Sequence, residues 1–160
     1  MALTATNPEV HSCPSPQGLA LRPMLAEDSK TWKKGQLGKL TSGTVTPIGG
    51  TGSTAAYCIF AQDQATSTST STVWVRILEI GTVLQMSVMD TGSAAAASSA
   101  EIGVKYGVED ASNVTYLDVN TTSGQFETIG PLSTYDEYKD SQFDLDAAPG
   151  RVLAKFSAVS

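Results

Sequence analysis

From residue 32 onward, short runs of alternating side chains recur about every dozen positions, cut by turn residues, and no helix-length apolar period interrupts them. The clearest run is 72–80. Val73, Val75 and Ile77 share one face of an extended chain, while Trp74, Leu78 and Ile80 share the other with Arg76. Apolar residues on both faces predict a central strand, with Trp74 in the core. After Gly81 comes 83–89, where Leu84, Met86 and Val88 alternate with Gln85 and Ser87. Joined across 79–82, the two runs read as a β-hairpin at the heart of the fold.

The other segments follow the same logic. Residues 36–41 and 44–48 flank the turn Ser42-Gly43, and 55–61 is a short apolar strand. The Ser/Thr tract 64–72 reads as a loop. Residues 92–100 have an alanine run, but flanking Gly and Ser and the lack of a large apolar anchor predict a loop with at most one helical turn. Ile102, Val104, Tyr106 and Val108 alternate, as do 115–119 and 125–129 around a turn at 120–124. A last strand spans 151–159, with Val152, Ala154 and Phe156 inward. About nine short strands and no long helix predict an all-β fold, a single β-barrel or a β-sandwich.

Residues 1–29 differ from the β-domain at 30–160. Pro8, Pro14, Pro16 and Pro23 punctuate them, each removing a backbone donor, which predicts an extended N-terminal arm. Leu19, Leu21, Met24 and Leu25 dot this arm with apolar groups spaced to dock, on a neighbouring subunit or on the chain's own domain. With Pro23 and with Trp32 at the domain entrance they form the candidate contact set. Cys58 lies in the apolar run 57–60 and reads as a buried small hydrophobe, while Cys13 lies in the arm; two cysteines leave their pairing open.

Charge and chemistry narrow the function. The net charge is -6 and only 16% of residues are charged, so nucleic acid, which calls for clustered Lys and Arg, is not an expected partner. Lys30, Lys33 and Lys34 around Trp32 read as a solvated strand entrance. Neither a membrane-length apolar run nor a secretory leader pattern is present, so no membrane partner is expected. His11, the single histidine, lies in the arm and leaves no base for a Ser-His pair in the body. Gly50, Gly52 and Ala55 match a dinucleotide fingerprint in letters only, because a strand-like run follows where a helix should start. Asp136, Glu137, Asp140, Asp144 and Asp146 could pair as catalytic carboxylates or hold calcium. Ala148 and Pro149 stand where an EF-hand would continue, so a solvated acidic loop is the better reading. The expectation is a binding protein, not an enzyme, with no cofactor and no metal.

Several stretches, in order, carry a resemblance. They are 32–40 (WKKGQLGKL), a Gly/Thr loop, 57–61 (YCIFA), 72–77 (TVWVRI), 102–107 (IGVKYG), 115–119 (TYLDV) and 151–156 (RVLAKF). The pattern from 32 to 156 resembles the head-decoration, or capsid cement, proteins of tailed bacteriophages. The likeness is one of whole-domain pattern and composition, without a signature motif. It implies a small β-rich virion protein, made in the host cytoplasm, that sits on the outside of a capsid as a homo-oligomer, often a trimer. The implied partners are the major capsid protein and further copies of itself. An alternative is a carbohydrate-binding or adhesion β-sandwich, which would show several exposed aromatic residues on one face.

Overall fold

The computed structural model describes residues 4–50, 53, 55–68, 70–131 and 148–157. Among these, twelve strands and one short 3-10 turn form two sheets. The strands are β1 (Glu9–Ser12), β2 (Leu21–Leu25), β3 (Leu37–Thr41), β4 (Thr44–Pro47), β5 (Cys58–Phe60), β6 (Thr72–Ile77), β7 (Val83–Asp90), β8 (Ser93–Ala94), β9 (Lys105–Ala111), β10 (Val114–Thr122), β11 (Phe126–Pro131) and β12 (Arg151–Phe156). The fold is all-β, as expected. The Ala-rich stretch 92–100 holds the two-residue strand β8 and the 3-10 turn Ala97–Ser99.

In the first sheet, β7 pairs with β10, β10 with β9, β9 with β11, β11 with β12, and β12 returns to β7. These pairings close a five-stranded barrel, which removes free edges. Leu84, Met86, Val88, Val108, Leu117, Phe126, Val152 and Ala154 form the buried cluster that it surrounds. Strands β1 and β8 add to β7 outside the ring. The second sheet runs β2-β6-β5-β3-β4. A parallel bridge between Ala26 and Val45 draws its two ends together around a second cluster, Trp32, Val45, Cys58, Phe60, Val73 and Val75.

Local chemistry explains the tight links. Ser42 and Gly43 both have positive φ, as do Thr91 and Gly92, and Ser112 and Asn113. Each pair is a two-residue loop whose twist matches the hairpin it joins. Gly43 and Gly92 accept the left-handed conformation without a Cβ clash, and Asn113 is among the residues that tolerate it.

The expected hairpin of 72–80 with 83–89 does not form. β6 lies in the second sheet between β2 and β5, whereas β7 lies in the barrel. The connection crosses between them: Leu78 is buried in the main cluster, and Gly81 N–H donates to Phe156 O at 2.7 Å. Alternation fixes which side chains share a face but not which strand lies alongside.

The two tryptophans exchange their expected roles. Trp74 is 46% exposed, because the barrel covers the second sheet only around Leu37 and Ile59 and leaves the outer face of β6 bare. Trp32, expected as a contact residue, is 0% exposed. It stacks on Phe60 with ring centroids 4.1 Å apart and donates its indole N–H to Gln62 O at 3.0 Å. An amphipathic ring is stable in a core when its one donor is satisfied.

The N-terminal segment is extended, and it is built into the domain. β1 is an edge partner of β7 and β2 an edge partner of β6. Leu19, between them, is buried in the main cluster, and Ala26 in the second. Residues 9–25 therefore strap one sheet to the other.

Trp32→Ala should cost ~3–5 kcal/mol, as for other large core truncations. Trp74→Ala, at a half-exposed site, should cost about 1 kcal/mol or less. Urea unfolding of both variants measures the difference; equal losses would contradict the placement of the second core.

Candidate interaction surface

The second sheet presents one bare face. In the antiparallel β2–β6 pair, Leu21 lies opposite Arg76, Pro23 opposite Trp74, and Leu25 opposite Thr72. Cross-strand partners point the same way, so these six side chains share the outer surface. Leu21 and Leu25 are 45% and 48% exposed, and Pro23 is exposed beside the half-exposed Trp74. The result is an apolar strip at the outer edge of the sheet. An exposed cluster of large apolar groups marks an interaction site more often than scattered single ones do.

The edge beside the strip is blocked. Ile77 N–H donates to Ala20 O and Ala26 N–H to Ser71 O, both at 3.0 Å, so the even-numbered residues of this stretch bond to β6. Leu21 and Pro23 then turn their backbone groups to the free edge, which ends where the Ala26–Val45 bridge begins, and Pro23 has no N–H to offer. A proline at the middle of an edge strand prevents a further strand from adding. This surface can bind through its side chains but not by continuing the ladder.

A groove of about 400 Å³ adjoins the strip at Arg76. It is lined by Asn7, Pro8 and the β1 residues Glu9 and Val10, together with Ile59, Phe60 and Ala61. Lys34 and Arg76 bring two cations to it. Arg76 Nη1 donates to Leu19 O at 3.3 Å, which fixes one branch of the guanidinium.

Of the expected contact residues, the structure therefore brings Leu21, Pro23 and Leu25 together at the surface. Leu19 and Trp32 are buried, and Met24 is partly buried against the second cluster. The alternation of 72–80 does not mark Trp74 as a surface residue, and no local pattern marks the groove. The exposure of Trp74 depends on how far the barrel reaches across the sheet, and the groove joins segments far apart in the chain.

The ionisable groups in the interior are structural. Asp110 accepts from Thr115 Oγ1 at 2.5 Å and from Gly49 N–H at 3.1 Å, while Thr115 Oγ1 accepts from Leu37 N–H at 3.0 Å. This chain of bonds clasps the β9–β10 hairpin to β3 and the loop after β4. Burial raises the Asp110 carboxyl above its ordinary range, opposed by the bonds from Thr115 and Gly49. Glu109 is also raised, first by burial and then by the charge and hydrogen bond of Asp118. No group of three or more His, Cys, Asp or Glu that could hold a metal ion occurs among the described residues. His11 is exposed on β1, and the carboxylates from Asp136 to Asp146 lie outside the described residues. Cys13 and Cys58 are both free thiols, and burial pushes Cys58 up to about 12.

No family model, curated protein or solved structure matches this chain.

Two outcomes follow from the titrating groups. Raised folded values mean that Asp110 and Glu109 keep protons which the unfolded chain releases just above 3.8 and 4.5. Their contribution to stability is complete below those values and is lost as pH rises through the folded values. Glu109→Gln should therefore raise the urea midpoint at about pH 7 and lose that advantage at about pH 4. For the thiols, a maleimide should label Cys13 alone in the native protein and both cysteines after denaturation, because a thiol held protonated in a core does not react.

Proposed function

We propose that this protein is a virion structural protein that binds the outside of a viral capsid and braces the shell, a decoration or cement protein that acts without chemistry. The apolar strip Leu21, Pro23, Leu25 and Trp74 carries this reading. It is a ready contact surface on a protein with few charges, and it lies in the segment whose pattern suggests docking. The likeness of residues 32–156 to head-decoration proteins supports the same reading.

The physical logic is linkage. A protein that binds the intact lattice and not its separated subunits stabilises the lattice by mass action. An oligomer, with a trimer as the form the family likeness suggests, engages several capsid subunits at once and multiplies a modest contact energy. Its partners would be the major capsid protein and its own copies, on the exterior of the virion after assembly in the host cytoplasm.

One observation favours the second reading, a carbohydrate-binding or adhesion module. Trp74 is exposed, and an exposed indole can stack on a sugar ring. The other tryptophan and Tyr106 are buried, so among the described residues the strip offers one aromatic ring and no row of them.

The test mixes purified protein with shells that lack it and measures occupancy and the shell's disruption temperature. Saturable binding that raises this temperature is expected, and Leu25→Asp should lower affinity by about tenfold or more, as for loss of a buried apolar anchor. Saturable binding with an unchanged disruption temperature would overturn the cement role. Binding to immobilised glycans in place of shells would favour the adhesion module.

A further inference from the structure

We propose that the groove between β1 and β5–β6 takes an extended segment of a partner protein that carries an acidic side chain beside apolar ones. The inference rests on the reading of the strip as a contact surface and names the chemistry that would complete it.

Three observations lead there. First, the groove is lined by apolar groups and by two cations. Val10, Ile59 and Ala61 line it, and Lys34 and Arg76 stand against the single carboxylate of Glu9. Two cations converging on one groove stand out in a chain of net charge -6. Secondly, the guanidinium is held in place. Its bond to Leu19 O uses one of its donors and leaves the remainder of the fork for a carboxylate, the geometry that binds bidentately. Thirdly, the groove and the strip are continuous. Arg76 borders the groove and lies opposite Leu21, and Trp74 follows on the same face of β6. A chain crossing the strip would therefore reach the guanidinium.

The dimensions point to a segment and not a domain. About 400 Å³ is near the lower end of the range that holds a small ligand, enough for a few side chains. Pro23 keeps the incoming chain from pairing along β2, so recognition falls to side chains: apolar groups against the strip, one carboxylate against Arg76 and Lys34.

The probe is a pair of short peptides, one alternating valine with glutamate and one alternating valine with lysine, titrated into the isotope-labelled full chain. The glutamate peptide should shift the amides of Val10, Ile59, Ala61 and Arg76 saturably, and the lysine peptide should not. Arg76→Gln and, separately, Lys34→Gln should each weaken binding by about fivefold or more, with unfolding curves unchanged. Equal binding of both peptides, or of neither, would overturn the proposal. Arg76→Glu in the shell assay separates it from the cement reading. Full occupancy by that variant would overturn the groove's role and leave the cement reading intact. Selective binding of the glutamate peptide by a protein that fails to bind shells would sink the cement reading and leave the groove assigned. Concentration-dependent self-association that Arg76→Glu abolishes would make the occupant a second copy and overturn the assignment to a different partner.

Discussion

Three consecutive residues of β5 serve two cores at once. Ile59 points into the cluster shared with the barrel, and Cys58 and Phe60 point the other way, into the cluster built on Trp32. A strand buried on both faces has no polar side to orient it, so its neighbours must be shaped around it. Gly38 is one such adjustment. A Cβ there would lie 2.8 Å from the Phe60 ring and 3.0 Å from Cys58 Sγ, so the absence of a side chain on β3 makes room for both. The Trp32–Phe60 stack, the closure of the second sheet and the placement of the groove all depend on this shared wall.

Much of the fold was legible along the chain. The Ser42-Gly43 turn, the interruption of the Ala-rich stretch, and the inward set Val152, Ala154 and Phe156 follow from short-range sterics and period-two alternation. What failed was long-range. Nothing in 72–89 says that β6 and β7 belong to different sheets, since the partners of β6 come from residues 21–25 and 58–60. The two tryptophans differ from the local pattern for the same reason: each ring's fate depends on what another segment covers. Ile102 alternates with Val104 and Tyr106 but is an exposed turn residue, and the strand begins at Lys105.

The candidate surface was legible by half. Leucines dotted through a proline-rich segment marked Leu21 and Leu25, but not that Leu19 would turn inward and Met24 partly so. The same proline that reads locally as a break acts in the sheet as a guard on an open edge. That device lets a strand keep greasy side chains outside without inviting a further strand to pair with it.

The position of β12 bears on how the protein can be made. This strand closes the barrel by pairing with both β7 and β11, and Arg151 also donates to the carbonyl of Thr4 at 3.2 Å. During synthesis, β7 leaves the ribosome long before the strand that seals it, so its edge stays open while the intervening residues are translated. The barrel can close only after β12 has emerged, and the contacts that complete it span nearly the whole chain, an arrangement that slows folding. Until then the nascent chain exposes the edge of β7 that β12 will cover to whatever chaperones the cell provides.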